Sequence, residues 1–134
     1  MDNKIAYCTY CSAEKINATF SLPAIELYKS NRISKVYQLA QDANVVFVIL
    51  SGKYGLLQPN ERINYYDHLL ISSEVPAHAK LVAEQISSKN ITELVFFTND
   101  VKDDPNLKAY IDCIVESCAK ASVTMRIVNQ KYID

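Results

Sequence analysis

The sequence predicts an α/β fold, a three-layer sandwich around a small, mostly parallel four-stranded sheet. Three observations predict it. Short β-branched and aromatic runs alternate with longer stretches of helical periodicity along the whole chain. One run, Val45-Val46-Phe47-Val48-Ile49-Leu50, is apolar at every position rather than every second one, as expected for a strand covered on both faces. No repeat, low-complexity tract or linker-like stretch interrupts the order, so residues 1–134 read as a single α/β domain, long enough to enclose a hydrophobic core.

The elements follow in order. Ile5 to Cys8 is a short apolar first strand. A polar turn and Ser21-Leu22-Pro23 lead into a helical stretch from Ala24 to Ala43, in which Ile33, Val36, Tyr37, Leu39 and Ala40 recur at helical spacing. Ser30 and Asn31 are the candidates to interrupt it, one of them capping the second half. Val45 to Leu50 is the second strand. Gly52 and Gly55, both of the chain's glycines, stand just beyond it, and a loop runs from Gln58 to His68. Pro76 precedes a helix from about Ala77 to Ser88, and Leu94 to Phe97 is a third buried strand. Asp104-Pro105 opens a helix from about Pro105 to Ala119, with proline in the first turn, where its missing N–H is not needed. Met125 to Val128 is the last strand.

The chain is 49% apolar and 22% charged with a net charge of −1, an ordinary balance for a globular protein. No overall basic excess calls for a nucleic-acid partner, which would need a local basic patch. The longest apolar run is far too short to span a bilayer, and the N-terminal MDNKIAYC lacks an apolar core of signal-peptide length. A cytoplasmic location without a membrane partner is expected. In that reducing compartment Cys8, Cys11, Cys113 and Cys118 are expected as free thiols. Cys8 and Cys11 have C-x-x-C spacing, but zinc needs two more ligands, and Cys113 and Cys118 sit about 140° apart around a helix. A thioredoxin-like motif opens a helix directly after its strand, whereas here a polar turn follows. No metal and no cofactor is expected.

In parallel sheets ligands bind beyond the carboxyl ends of the strands. That nominates residues 9–15, 51–67, 98–100 and 129–131. The glycine pair has two readings: a tight turn returning the chain to a helix layer, or a ligand loop that displays Lys53 to an anion. It is not a P-loop. The segment from Asn60 to His68 gathers Glu61, Arg62, Tyr65, Tyr66, Asp67 and His68, groups of the kind used in general acid–base chemistry. Glu61 and Arg62 read as residues of a solvated loop with ordinary salt bridges, Tyr66 and Asp67 as a site, and His68 equally as a helix-start residue on the surface. Lys15, Tyr28 and Ser30 read either as a phosphate clamp or as exposed helix polarity, and Arg32 as the latter. Cys11 is a conceivable nucleophile with no nearby histidine in sequence. His78, at a helix start, reads as a surface residue.

Four stretches together carry a resemblance: Cys11-Ser-Ala-Glu-Lys15; Pro23-Ala-Ile-Glu-Leu-Tyr28-Lys-Ser30; Leu50-Ser-Gly-Lys-Tyr-Gly-Leu-Leu-Gln-Pro59; and Tyr66-Asp67. They resemble a family of small bacterial and phage domains of unknown function, with the pattern C-x-x-x-K, L-Y-x-S-x-x-F, I-L-S-A-K-Y/H-G-L-L-x-P and Y-D. The resemblance spans about residues 5–70. Ile33 replaces the family's phenylalanine and Gly52 its alanine, the second change expected to loosen the loop. The family is in turn similar to domains of deazaguanine-modification and tRNA-guanine transglycosylase systems, and in plan to the uracil-DNA glycosylase superfamily. This implies a nucleotide, nucleobase or nucleic-acid partner and N-glycosidic chemistry. On that basis Asp67, Lys53 and Tyr66 are the expected catalytic groups. Asp67 would steady positive charge or activate water, and Lys53 or Tyr66 would donate to the departing base. Cys11, Lys15, Tyr28, Ser30, Ser51, Gly52, Tyr54 and Gly55 would hold the substrate, with Tyr54 or Tyr28 stacking on a base. A non-catalytic nucleotide- or nucleic-acid-binding module and a structural accessory domain are the alternatives. Nothing in the sequence speaks to oligomeric state.

Overall fold

The computed structural model describes residues 3–132. The elements are β1 (Ile5–Tyr10), β2 (Leu22–Pro23), α1 (Ala24–Leu27), α2 (Asn31–Ala43), β3 (Val46–Ser51), β4 (Gly55–Leu57), β5 (Arg62–Ile63), α3 (Val75–Ser88), β6 (Glu93–Thr98), α4 (Leu107–Ala121) and β7 (Thr124–Asn129). The main sheet has the order β4-β3-β1-β6-β7, with β3, β1, β6 and β7 parallel and β4 antiparallel at one edge. It therefore has five strands rather than the expected four. The added strand is only three residues long, and its glycine start and pairing partner are set by the turn before it. Leu22–Pro23 and Arg62–Ile63 form a separate two-stranded ribbon within the predicted loops.

β1 is the hub. It pairs with β3 on one side and β6 on the other, and its last three residues are buried. From β1 the chain passes through α2 to β3. It then returns through α3 to β6, on the far side of β1, and on through α4 to β7. Right-handed crossovers that run in opposite directions place their helices on opposite faces of the sheet. Accordingly α2 packs on β1 and β3, while α3 and α4 pack on each other over the other face. The two directions part between β1 and β6, the topological switch point at whose carboxyl side doubly wound folds bind ligands.

Local chemistry sets the boundaries. The predicted break in the first helical stretch is real. α1 ends at Leu27, and the Ser30 hydroxyl accepts the Ile33 N–H at 3.2 Å, so Ser30 is the N-cap of α2. α2 ends on Asn44, whose φ of 57° is the left-handed conformation that asparagine tolerates. α4 begins at Leu107 rather than Pro105. The Asp104 carboxylate accepts the Asn106 N–H at 3.1 Å, and this turn keeps Pro105 outside the helix. Ile33, Val36 and Ala40 of α2, Ala79, Val82 and Ile86 of α3, and Leu107, Tyr110, Cys113 and Ile114 of α4 close the core over Val48, Ile49, Leu94 and Phe96 of the strands. Among the described residues no helix is long and apolar enough to cross a membrane.

Candidate functional site

At the carboxyl end of β1 the structure departs from the expectation for Arg32. Its guanidinium does not sit in solvent. It turns in from the first turn of α2, lies 3.5 Å from the centre of the Tyr10 ring, and donates to Thr9 Oγ1 at 2.6 Å, Tyr10 O at 2.7 Å and Cys11 O at 3.3 Å. The Thr9 hydroxyl passes its own proton to Phe97 O at 2.8 Å, which links α2, β1 and β6 through one buried chain. Burial lowers the guanidinium's pKa, but arginine remains a cation in proteins. Asn99, past β6, donates to the Tyr10 hydroxyl at 3.1 Å and is itself held by Gln130 past β7 at 2.7 Å. Segments past three neighbouring strands thus meet around Tyr10.

At the end of β3 the glycine pair shapes a hairpin into β4. Ser51 Oγ accepts the amides of Lys53 at 3.1 Å and Tyr54 at 3.0 Å. With both lone pairs engaged, its proton points to Tyr66 Oη, 2.8 Å away, and the Tyr66 and Tyr28 hydroxyls share a further hydrogen bond of 2.5 Å. Burial pushes the Tyr28 and Tyr66 phenols well above the ordinary tyrosine range. The rings of Tyr54 and Tyr28 meet that of Tyr66 edge to face. The ammonium groups of Lys15 and Lys53 stand 4.8 and 5.9 Å from the Tyr66 ring centre, close enough for cation–π attraction. Tyr66 is therefore the hub of this wall, its hydroxyl engaged by both Ser51 and Tyr28.

α3 holds this hairpin from behind. His78 Nε2 lies 2.8 Å from Ser51 O, and since a carbonyl only accepts, that nitrogen carries the hydrogen. Gln85 accepts the Leu56 N–H at 2.7 Å and donates to Tyr54 O at 3.1 Å. His78 is thus half-buried against the hairpin, not a surface residue as its helix-start position had implied. Gly52 is enclosed rather than loose. A Cβ there would lie 2.9 Å from the Tyr110 hydroxyl and 3.1 Å from both His68 O and Leu70 N. The Tyr110 hydroxyl in turn accepts the Leu70 N–H at 3.1 Å and lies 3.8 Å from the Cys11 sulfur.

Two adjoining cavities open on this frame. One, of about 390 Å³, lies at the switch point and is lined by Cys11, Lys15, Ser30, Arg32, Asp67 and Tyr110 among others. The other, of about 500 Å³, is lined by Gly52, Lys53, Tyr65, Tyr66, Asp67 and His68, with Glu74. Asp67 borders both. Its carboxylate is exposed and carries no hydrogen bond or ion pair among the described residues. His68 beside it is paired with Glu74 at 3.0 Å. A larger hollow of about 560 Å³, at the opposite ends of the strands and bordered by Lys4, Tyr37 and Lys89, contains none of these groups.

Of the residues expected to form the site, Cys11, Lys15, Ser30 and Asp67 share the first cavity, and Gly52, Lys53, Tyr66 and Asp67 share the second. Lys15 borders only the first of these two cavities and Lys53 only the second. Tyr28, Ser51, Tyr54 and Gly55 border neither cavity and form the wall behind them. Tyr110 and Gln85 are not among the sequence candidates, and Arg32 and His78 stand there as exposed residues. Arg32 stands two residues after the helix cap, which places it in the first turn at a strand end. His78 and Gln85 lie seven apart, on one face of α3. Cys8, Cys113 and Cys118 are buried in the core, where desolvation raises the latter two thiols to about 11. Among the described residues no cluster of three or more histidine, cysteine or acidic side chains is placed to hold a metal ion.

No curated protein and no solved structure matches the chain. A family model does match it, over residues 8–128, taking in β1 beyond Tyr7, both cavities and all but the last residue of β7. The chain thus belongs to the family of unknown function DUF6884.

Proposed function

We propose that the chain is a nucleotide-directed enzyme that hydrolyses or exchanges an N-glycosidic bond across the two cavities. The observation that carries this reading is Asp67, an unpaired carboxylate shared by two cavities with cationic walls, Lys15 and Arg32 on one side and Lys53 on the other. A nucleotide lying across Asp67 puts its glycosidic bond beside the carboxylate. Water then adds to the anomeric carbon as the carbon–nitrogen bond breaks. Asp67 takes the water's proton and faces the positive charge that develops on the sugar. The bonding electrons leave with the base, which takes a proton from the Lys53 ammonium. The Tyr66 hydroxyl is engaged by Ser51 and Tyr28, so the donor role goes to Lys53. Tyr65, 41% exposed and in the same cavity, is the aromatic face at hand for a base, in place of the buried Tyr28 or the wall residue Tyr54.

The test is base release from a panel of nucleosides, nucleotides and single-stranded DNA, alongside calorimetric binding of the same panel. Asp67→Asn keeps the shape and removes the base. It is expected to lower turnover by about 10²–10⁴-fold while leaving affinity near that of the parent. Unchanged turnover in this variant would remove Asp67 from the mechanism. Tight nucleotide binding with no turnover of any panel member would replace the enzyme reading by that of a binding module.

A further inference from the structure

We propose that the Arg32 end of the switch-point cavity is a phosphate site, so that the ligand of this domain is a phosphorylated one. The proposal rests on the reading above only in taking the phosphate to belong to a nucleotide.

The argument starts from the charge of Arg32. Moving a guanidinium out of water is costly unless an anion accompanies it. Arg32 is half-buried, drawn onto the Tyr10 ring and among the ends of buried strands, yet among the described residues no carboxylate lies within ion-pair distance of it. Its partners are a hydroxyl and two carbonyls, which satisfy hydrogen bonds without neutralising charge. Those partners use three of its five N–H bonds. Both Nη1 hydrogens are taken and one of the Nη2 pair, leaving the second Nη2 hydrogen and Nε–H. A fixed guanidinium edge with spare donors is suited to a phosphate oxygen.

The surroundings agree. Arg32 and Ser30 border the cavity at the start of the 13-residue α2, where the helix dipole favours an anion. Lys15 and Lys29 add two ammonium groups to the same lining. Three carboxylates also border it: Glu14, Asp67 and Asp104. Asp104 is occupied by the Asn106 N–H, and Asp67 marks the boundary with the Lys53 cavity. The phosphate therefore sits at the Arg32 and Ser30 end, with the rest of the ligand directed toward Asp67. The cavity's 390 Å³ is within the range of small-ligand sites.

The experiment titrates the full chain with inorganic phosphate, a nucleoside and the matching nucleoside monophosphate, by calorimetry and by NMR of the arginine side-chain N–H groups. The monophosphate is expected to bind about 10- to 100-fold more tightly than the nucleoside, the size of charge-assisted hydrogen bonds to a half-buried cation. Arg32→Gln should abolish that advantage. Arg32→Lys, which retains the charge but not the fork, should reduce it. Should Arg32→Gln fail to fold, the unaltered protein still decides the matter. Phosphate must shift the Arg32 N–H resonances, and unmoved resonances at saturating monophosphate would overturn the proposal. Equal affinity for nucleoside and monophosphate would overturn it too. The two readings fail separately. Base release from nucleosides with no preference for a phosphate sinks this inference alone. Arg32-dependent phosphate binding without base release supports it and sinks the glycosidic chemistry.

Discussion

Gly55 shows how much one residue can be asked to do. Its φ of +75° lies in the left-handed region, and a Cβ there would come within 2.3 Å of Gln85 Oε1, the atom that accepts the Leu56 N–H. An alanine would therefore face backbone strain and push away the side chain that anchors the hairpin. Gly55→Ala is expected to destabilise the fold by about 1–3 kcal/mol, read as a lower urea midpoint at unchanged slope. An unaltered midpoint would mean that the hairpin adjusts freely and that Gln85 is not its anchor. The oddity of two glycines bracketing Lys53-Tyr54 was visible in the sequence, but its cause was not. The atoms that exclude a Cβ come from α3 and α4 and from the segment around Leu70, all distant in the chain. The same holds at the site. Asp67 and Lys53 could be singled out by residue type and proximity. Arg32 could not, because helix periodicity describes which side of a helix a residue faces and not whether a long side chain folds back over a strand end.

At the level of elements, legibility followed length and pattern. β3 and β6 announced themselves by continuous apolarity, because both their faces are covered. β4 escaped notice because three residues, Gly55–Leu57, carry no period, and it exists because the Ser51 hydroxyl and Gln85 hold the turn that pairs it with β3. The ribbon of β2 and β5 is shorter still, and its pairing is a tertiary event. The start of α2 is the converse case, a boundary written into local chemistry. Ser30 both satisfies the Ile33 amide and borders the switch-point cavity. Ser30→Ala should cost about 1 kcal/mol of stability, measured by chemical denaturation, whereas Ser30→Asp restores the cap. Equal stability of all three proteins would mean that α2 draws nothing from its cap and is held by packing alone.

For the molecule as a whole, the buried titratable groups give the fold a one-sided dependence on pH. The phenols of Tyr28, Tyr66 and Tyr110 and the thiols of Cys8, Cys113 and Cys118 all have raised pKa values, with desolvation as the first cause in each. They are spread through the interior, from the wall behind the second cavity to the core face of α4. In the unfolded chain such groups begin to lose protons near pH 8.5 for cysteine and 10 for tyrosine. The native state keeps them protonated to higher pH, up to about 11 for Cys113 and Cys118. Between those limits the native state binds more protons than the unfolded one, so stability falls as pH rises. Each such group contributes a slope of about 1.4 kcal/mol per pH unit. Their stabilisation is complete below pH 8 and is withdrawn from about pH 9 upward, first through the thiols and then through the phenols. Urea midpoints should accordingly drop between pH 8 and 10.5, and tyrosinate absorbance should rise in two stages, the later one coincident with loss of native circular dichroism. Tyr66→Phe removes one titrating phenol and should flatten the alkaline slope, although it weakens the protein at pH 7 by leaving Ser51 and Tyr28 without their shared partner. A midpoint constant from pH 8 to 10.5, or titration of all nine tyrosines before unfolding, would show that water reaches these groups in the native state. The Ser51–Tyr66–Tyr28 chain could not then be the closed wall that separates the cavities from the core.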